Sequence, residues 1–187
     1  MVYPIEDIRY VESAFNQFYD IGVTETGGVT RLGYTKEEDD MHEVFTGLAR
    51  ELGFDIHTDE VGNTFVANSA DDEDYYLIGS HLDSVVDGGR YDGVAGVLAG
   101  IMVMRWAKQD GIAITMRTVA FRCEESSNFG LCTIGSELIT SGEFAPDLSM
   151  LSGKDGVTLG EIFKERGYSL KPKRIEGVKE YLEVHIE

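Results

Sequence analysis

Apolar positions along this chain follow two rhythms, and the switches between them outline its elements. Ile5, Ile8, Val11, Phe15 and Phe18 recur at helical spacing, which predicts an amphipathic helix over residues 1–20 with its aromatics in the core. A polar, glycine-rich stretch follows, Gly27-Gly28-Val29-Thr30-Arg31. Thr35 and Glu38 then stand at capping-box spacing and predict a helix through about Leu52, stopped by Gly53. Residues 54–57 and 64–67 read as two strands around the turn Val61-Gly62-Asn63, and residues 75–79 as a short buried strand. From 93 to 107 the chain is apolar nearly all round (Val94, Val97, Leu98, Ile101, Met102, Met104, Trp106), with Gly96 and Gly100 permitting close approach to a sheet, so a buried helix is expected. Residues 114–121 read as an inner strand, Thr158 with Glu161 opens a short helix, and residues 181–186 form a final strand. Strands alternating with helices indicate an α/β sandwich, and no repeat or linker divides residues 1–187 into two domains.

Composition narrows the partners. A chain of 187 residues with 42% hydrophobic content can bury one sizeable core. Its formal charge of −18 sets up a field that repels nucleic acid and anionic membranes, so neither is an expected partner. The runs Glu37-Glu38-Asp39-Asp40 and Asp71-Asp72-Glu73-Asp74 are read as solvated surface. Two cysteines, Cys123 and Cys132, are too few for a disulfide framework and lack metal-finger spacing, which fits a reduced protein. No secretory pattern opens the chain, and no segment approaches the roughly 20 apolar residues of a membrane span. A cytoplasmic, soluble protein is expected.

Metal-ligand residue types lie at the ends of the predicted strands, where open α/β sheets place their ligand-binding groups. Gly79-Ser80-His81-Leu82-Asp83-Ser84 leaves one strand; a His-x-Asp pair lets an imidazole bind metal while a carboxylate fixes the geometry around it. Asp92, in Gly88-Gly89-Arg90-Tyr91-Asp92-Gly93, precedes the buried helix, a place that also suits an isolated carboxylate favoured by the helix dipole. Its flanking glycines point instead to a backbone pressed close to something. Glu124 and Glu125 follow an apolar strand, and two adjacent like charges buried there need compensating cations. His185, between Val184 and Ile186, should share a face with Glu183 and Glu187; read alone it fits a satisfied strand histidine as well as a ligand. His42 and His57 lack such company and are taken as structural.

Taken together, Gly79 to Val85, Gly88 to Val97, Glu124-Glu125-Ser126 and Glu183-Val184-His185-Ile186-Glu187 resemble the M20 metallopeptidase superfamily, and within it the hydantoinase/carbamoylase branch. That branch includes N-carbamoyl-L-amino-acid hydrolases, allantoate amidohydrolases and β-ureidopropionases. Gly28-Val29-Thr30-Arg31-Leu32 and Asp59-Glu60-Val61-Gly62-Asn63 extend the likeness over nearly the whole chain. The resemblance implies a three-layer α/β/α sandwich of the zinc-dependent exopeptidase type and a site for two divalent metal ions. His81, Asp92 and His185 would hold one metal, with Asp92 bridging and Glu125 binding the second. Glu124 would act as general base, and Asp83 would support His81. Mixed nitrogen and oxygen ligands suit zinc, manganese, cobalt or nickel. The implied reaction is metal-assisted hydrolysis of carbamoyl or amide C–N bonds in small ureido or N-carbamoyl amino-acid substrates.

The pattern departs from the family in several places. Its members are much longer, with an inserted lid or dimerisation domain and a further His ligand, and the Gln-Gly that follows their His-Ile-Glu is absent here. Residues 1–187 would thus be the N-terminal portion of the catalytic domain, expected to form a homo-oligomer or to pair with a complementing C-terminal fragment. Asn128 and Glu137 stand where many relatives carry basic residues. Two other readings remain open on sequence: a non-catalytic metal-binding or interaction module, and an aminopeptidase or dipeptidase of the wider superfamily.

Overall fold

The computed structural model describes residues 5–69, 74–141 and 146–186. Most of the acidic run at 71–74, and Glu187, lie outside the described residues. Five strands form one mixed sheet in the order β1-β2-β4-β3-β5. They are β1 (Asp55–Thr58), β2 (Thr64–Ala67), β3 (Tyr75–His81), β4 (Met116–Phe121) and β5 (Val178–Leu182). β2 runs antiparallel to both of its neighbours, β1 and β4, whereas β4, β3 and β5 are mutually parallel, so three consecutive carboxyl ends emerge at one rim.

The sheet is buried on both faces. Along each inner strand neighbouring side chains go to opposite sides: Phe65, Leu77 and Val119 join one apolar cluster, and Val66, Ile78 and Ala120 the other. The second cluster is completed by α1 (Ile5–Tyr19), α2 (Lys36–Glu51) and α3 (Val94–Gln109), the first by α4 (Ile134–Ser141) and α5 (Leu159–Arg166). This is the three-layer α/β/α arrangement expected from the sequence. α3, apolar on every side, packs directly on β3 and β4. The Thr158–Glu161 capping box of α5 forms in full.

Several expectations are corrected. Ile5 and Ile8, assigned to the core face of α1, are 64% and 49% exposed, and the helix is anchored by Phe18, as expected, together with Ala14. The box expected at Thr35 does not form; its hydroxyl donates to Leu32 O, and Thr35 makes no side-chain cap bond to the helix. Glu38 is drawn away because it is needed elsewhere. The final strand ends at Leu182 rather than at 186, which leaves His185 in a loop and not on a strand face. α4 was not foreseen.

The acidic run at 37–40 is the largest correction, since Glu38 is fully buried. Its carboxylate accepts from the backbone of Tyr34 (2.6 Å) and Cys123 (2.7 Å) and from the Arg122 guanidinium (2.9 Å). Arg122 also donates to Gly62 O and to Asp39, which it shares with Arg166 at 2.7 Å each. Removing one partner of such a buried pair strands the other charge. We therefore expect Arg122→Met to lose about 3–5 kcal/mol of unfolding free energy in urea titrations; a loss no larger than for a surface ion pair would show that the pair does not hold the fold.

His42 is buried in the same region, with Nδ1 2.8 Å from Thr64 Oγ1 and, among the described residues, no hydrogen-bond partner for Nε2. Burial, with the Arg122 charge, holds its pKa well below the ordinary value. The unfolded chain then binds a proton that the folded chain refuses, so this contribution is present above about pH 6.5 and lost as pH falls below it. Stability should drop between pH 7 and 5, and His42→Gln should flatten that part of the profile; equal slopes would count against the assignment.

Candidate functional site

The rim where β4, β3 and β5 end gathers the predicted residues. His81 closes β3 and is wholly buried. Its Nδ1 lies 3.1 Å from Asp83 O and 3.3 Å from Asp83 Oδ1. Both neighbours are acceptors, so the neutral ring carries its proton on Nδ1 and turns the Nε2 lone pair toward the other candidate groups. Burial works against protonation of His81, but the Asp83 hydrogen bond and the charges of Asp83, Glu124 and Asp92 outweigh it and raise the pKa to about 9.

Asp83 does more than orient His81. Fully buried, it accepts the backbone N–H of Glu124 on one oxygen (3.0 Å) and that of Glu125 on the other (2.9 Å). One carboxylate thereby joins the loop after β3 to the loop after β4. The second loop starts at Cys123, a non-glycine residue at φ +50° whose N–H is held by Glu38. Such a conformation costs about 1–3 kcal/mol and persists where surrounding bonds determine it. Asn63 adds a further clamp, accepting from Arg122 N and donating to Asp59 and to Gly135 O.

Asp92 arrives on the turn into α3. The turn is possible because Gly93 sits at φ +65° with no side chain: a Cβ there would stand 2.4 Å from His81 O and 2.7 Å from the ring. Asp92 Oδ1 lies 3.8 Å from His81 Nε2 and 3.2 Å from His185 Nε2, and the two Nε2 atoms are 3.4 Å apart. Glu124 Oε2 approaches His81 Nε2 at 3.8 Å. Burial raises the Glu125 pKa; His81 pulls it down, and the charges of Asp83, Asp92 and Glu124 add to the rise.

Among the described residues two groups have ligand atoms close enough to share an ion: His81, Asp92 and His185, and His81, Glu124 and Glu125. Asp92 belongs to the first, Glu125 to the second and His81 to both. All six residues singled out in the sequence thus meet at one place. His57, exposed beside Phe65, and His42 stay outside it. Asn128 bridges two loops, donating to Gly33 O and accepting from Lys154 N, while Glu137 is exposed on α4.

The donor set fits divalent cations. Asp92 Oδ1 is buried without a hydrogen-bond partner among the described residues, which is costly for a carboxylate oxygen, and it faces two imidazole nitrogens. A cation relieves both problems. Beside Glu124, a cleft of about 340 Å³ lined by Leu77, Phe121, Ile139, Tyr181 and Glu183 runs along the sheet.

Two contributors were missed in the sequence. Arg31 is fully buried and caps the end of α1, donating to Phe18 O and Ile21 O; its own backbone pairs with Ser84 and so braces the first ligand loop. Glu38, hidden in an acidic run, has the analogous role for the second. No helix in the described residues is long and apolar enough to cross a membrane.

No family model matches the chain. It is 35% identical over 179 residues to an N-carbamoyl-L-amino acid amidohydrolase of Geobacillus stearothermophilus, covering 90% of this chain and 43% of that protein. An allantoate amidohydrolase of Bacillus subtilis is 31% identical over 173 residues, covering 89% of this chain and 42% of the relative. The crystal structure of a hydantoinase/carbamoylase family amidase from Burkholderia ambifaria superposes with a TM-score of 0.82 at 33% identity, over 96% of this chain and 45% of that one. The chain therefore spans less than half the length of the relatives it matches. By sequence and by fold, it is a homologue of the N-carbamoyl-L-amino acid and allantoate amidohydrolases, with the architecture of the hydantoinase/carbamoylase family.

Proposed function

We propose that residues 1–187 correspond to the N-terminal portion of the catalytic domain of a metal-dependent amidohydrolase that cleaves C–N bonds of N-carbamoyl-L-amino acids or related ureido compounds. The observation that carries this reading is the buried Asp92 Oδ1, which accepts no hydrogen bond among the described residues and faces the Nε2 atoms of His81 and His185. His81, Asp92 and His185 would hold one divalent cation and Glu125 would contribute to a second. Such ions supply Lewis acidity and lower the pKa of water.

The chain's own groups have separate tasks. Glu124 lies across from His81, partly open to the cleft, so it can take a proton from attacking water and pass it to the departing nitrogen as the C–N bond breaks. Asp83 is bound on both oxygens and cannot share that work; it holds Glu124 in place. For a carbamoylated substrate the products are the amino acid, ammonia and carbon dioxide. The apolar cleft beside Glu124 offers room for a substrate side chain.

Elemental analysis after dialysis tests the metal reading. Near-stoichiometric divalent metal is expected in the wild type and in Glu124→Gln, with loss in Asp92→Ala; equal retention in Asp92→Ala would remove that residue from the ligand set. In any preparation that hydrolyses N-carbamoyl-L-amino acids, Glu124→Gln should lower kcat by about 10²–10⁴-fold. Faster turnover of dipeptides than of N-carbamoyl amino acids would favour a peptidase.

The outer edge of the sheet bears on assembly. Among the described residues β5 pairs only with β3 and, with the segment after it, exposes Tyr181, Leu182, Val184 and Ile186 at 41–52%. Unpaired apolar edges invite association. Concentration-dependent self-association is expected in sedimentation velocity, reduced by Leu182→Lys; a single monomeric species across the concentration range would rule it out.

A further inference from the structure

His185 reaches the site from an exposed edge, and something must hold it there. The paired register of β3 and β5 ends at Ile78 with Leu182, three residues before His185. Leu182 and Val184 are about half exposed, so packing restrains this segment little, and edge segments of this kind fray readily. Yet the His185 ring lies 5.6 Å from that of His81, inclined by 30°.

Glu183 spans the gap. The buried Ser80 hydroxyl donates to Glu183 Oε1 at 2.5 Å, and the Tyr181 hydroxyl donates to Oε2 at 2.9 Å. Tyr181 is itself anchored, with its ring edge-on to Phe121 and its hydroxyl 3.2 Å from Gly79 O. On the other side the chain is pressed against α3, where a Cβ on Gly96 would meet Val184 O at 2.5 Å and Ser80 Cβ at 2.7 Å. Ser80 precedes His81 and Glu183 lies two residues before His185, so one carboxylate fixes the approach of one imidazole to the other.

We infer that Glu183 is a positioning residue: clamped by Ser80 and Tyr181, its carboxylate carries the strand alignment past the end of the ladder and holds His185 against His81 and Asp92. The consequence for metal binding rests on the metal-site reading above; the positioning itself does not. Gln at 183 keeps an oxygen for Ser80 and an amide that can pair with Tyr181, whereas Ala keeps neither.

The test has two arms on the same proteins, with circular dichroism and the urea midpoint recorded for each. In metal-free protein, an NMR cross-relaxation peak between the His81 and His185 imidazole protons is expected in the wild type and in Glu183→Gln, and should vanish in Glu183→Ala and in the near-isosteric Ser80→Ala. Persistence of the peak in folded Glu183→Ala or Ser80→Ala, or its absence from the wild type, overturns the proposal. In the second arm, Zn(II) alone is titrated by chelator competition, and Glu183→Ala should bind about 10–100-fold more weakly, with recovery in Glu183→Gln. A wild type that shows the peak, loses it in the variants and takes up no Zn(II) supports the positioning role and overturns the metal reading instead.

Discussion

The site depends on the Asp83 carboxylate. Two adjacent glutamates after a buried strand repel one another and lose solvent. They are held because Asp83 takes the N–H of each, one per oxygen, while its third neighbour is the His81 ring. That bonding satisfies a fully buried charge and defines the distance between the loops after β3 and β4. It also settles which nitrogen of His81 faces the cluster, since a neutral imidazole with acceptors at Nδ1 keeps its proton there and presents a bare Nε2.

A second buried charge supports the first. Glu38 holds the backbone of Cys123 at the bend from which Glu124 departs, and Arg122 compensates it while reaching Asp39 and Gly62. Arg31 supports the opposite loop by joining the end of α1 to Ser84. The loops after β3 and β4 are thus each tied to structure on a different helix. Both ties are ionic or charge-assisted, and both are buried, where water competes least.

The likeness to amidohydrolases extends along almost the whole chain yet covers under half of each relative. The cluster nonetheless assembles from this portion because its elements are contiguous in the sheet. β4, β3 and β5 are parallel neighbours, and α3 starts at the same rim. The exposed outer edge of β5 is the place where this arrangement is least covered.

The sequence by itself determined what is decided within about ten residues. The runs at 54–57 and 64–67 around Val61-Gly62-Asn63 marked two strands, and the apolar run of β3 marked a buried one. The stretch at 93–107, apolar nearly all round, marked a buried helix, and Thr158 with Glu161 marked a helix start. His81, Asp83, Asp92, Glu124 and Glu125 stood out as ligand-type residues at the ends of predicted elements, whereas His185 read alone fitted a strand histidine as well as a ligand, and the resemblance joined the six into one site. Only the tertiary structure decided what those patterns meet. It buried Glu38 in an acidic run that locally resembles surface, left Ile5 and Ile8 in solvent, ended β5 before His185, and set Ser80 against Glu183 across 103 positions of chain. The physical reason is that periodicity reports which face of an element is apolar. The cost of burying a charge is instead set by partners such as Arg122, 84 positions from Glu38, that come into reach only when the sheet has formed.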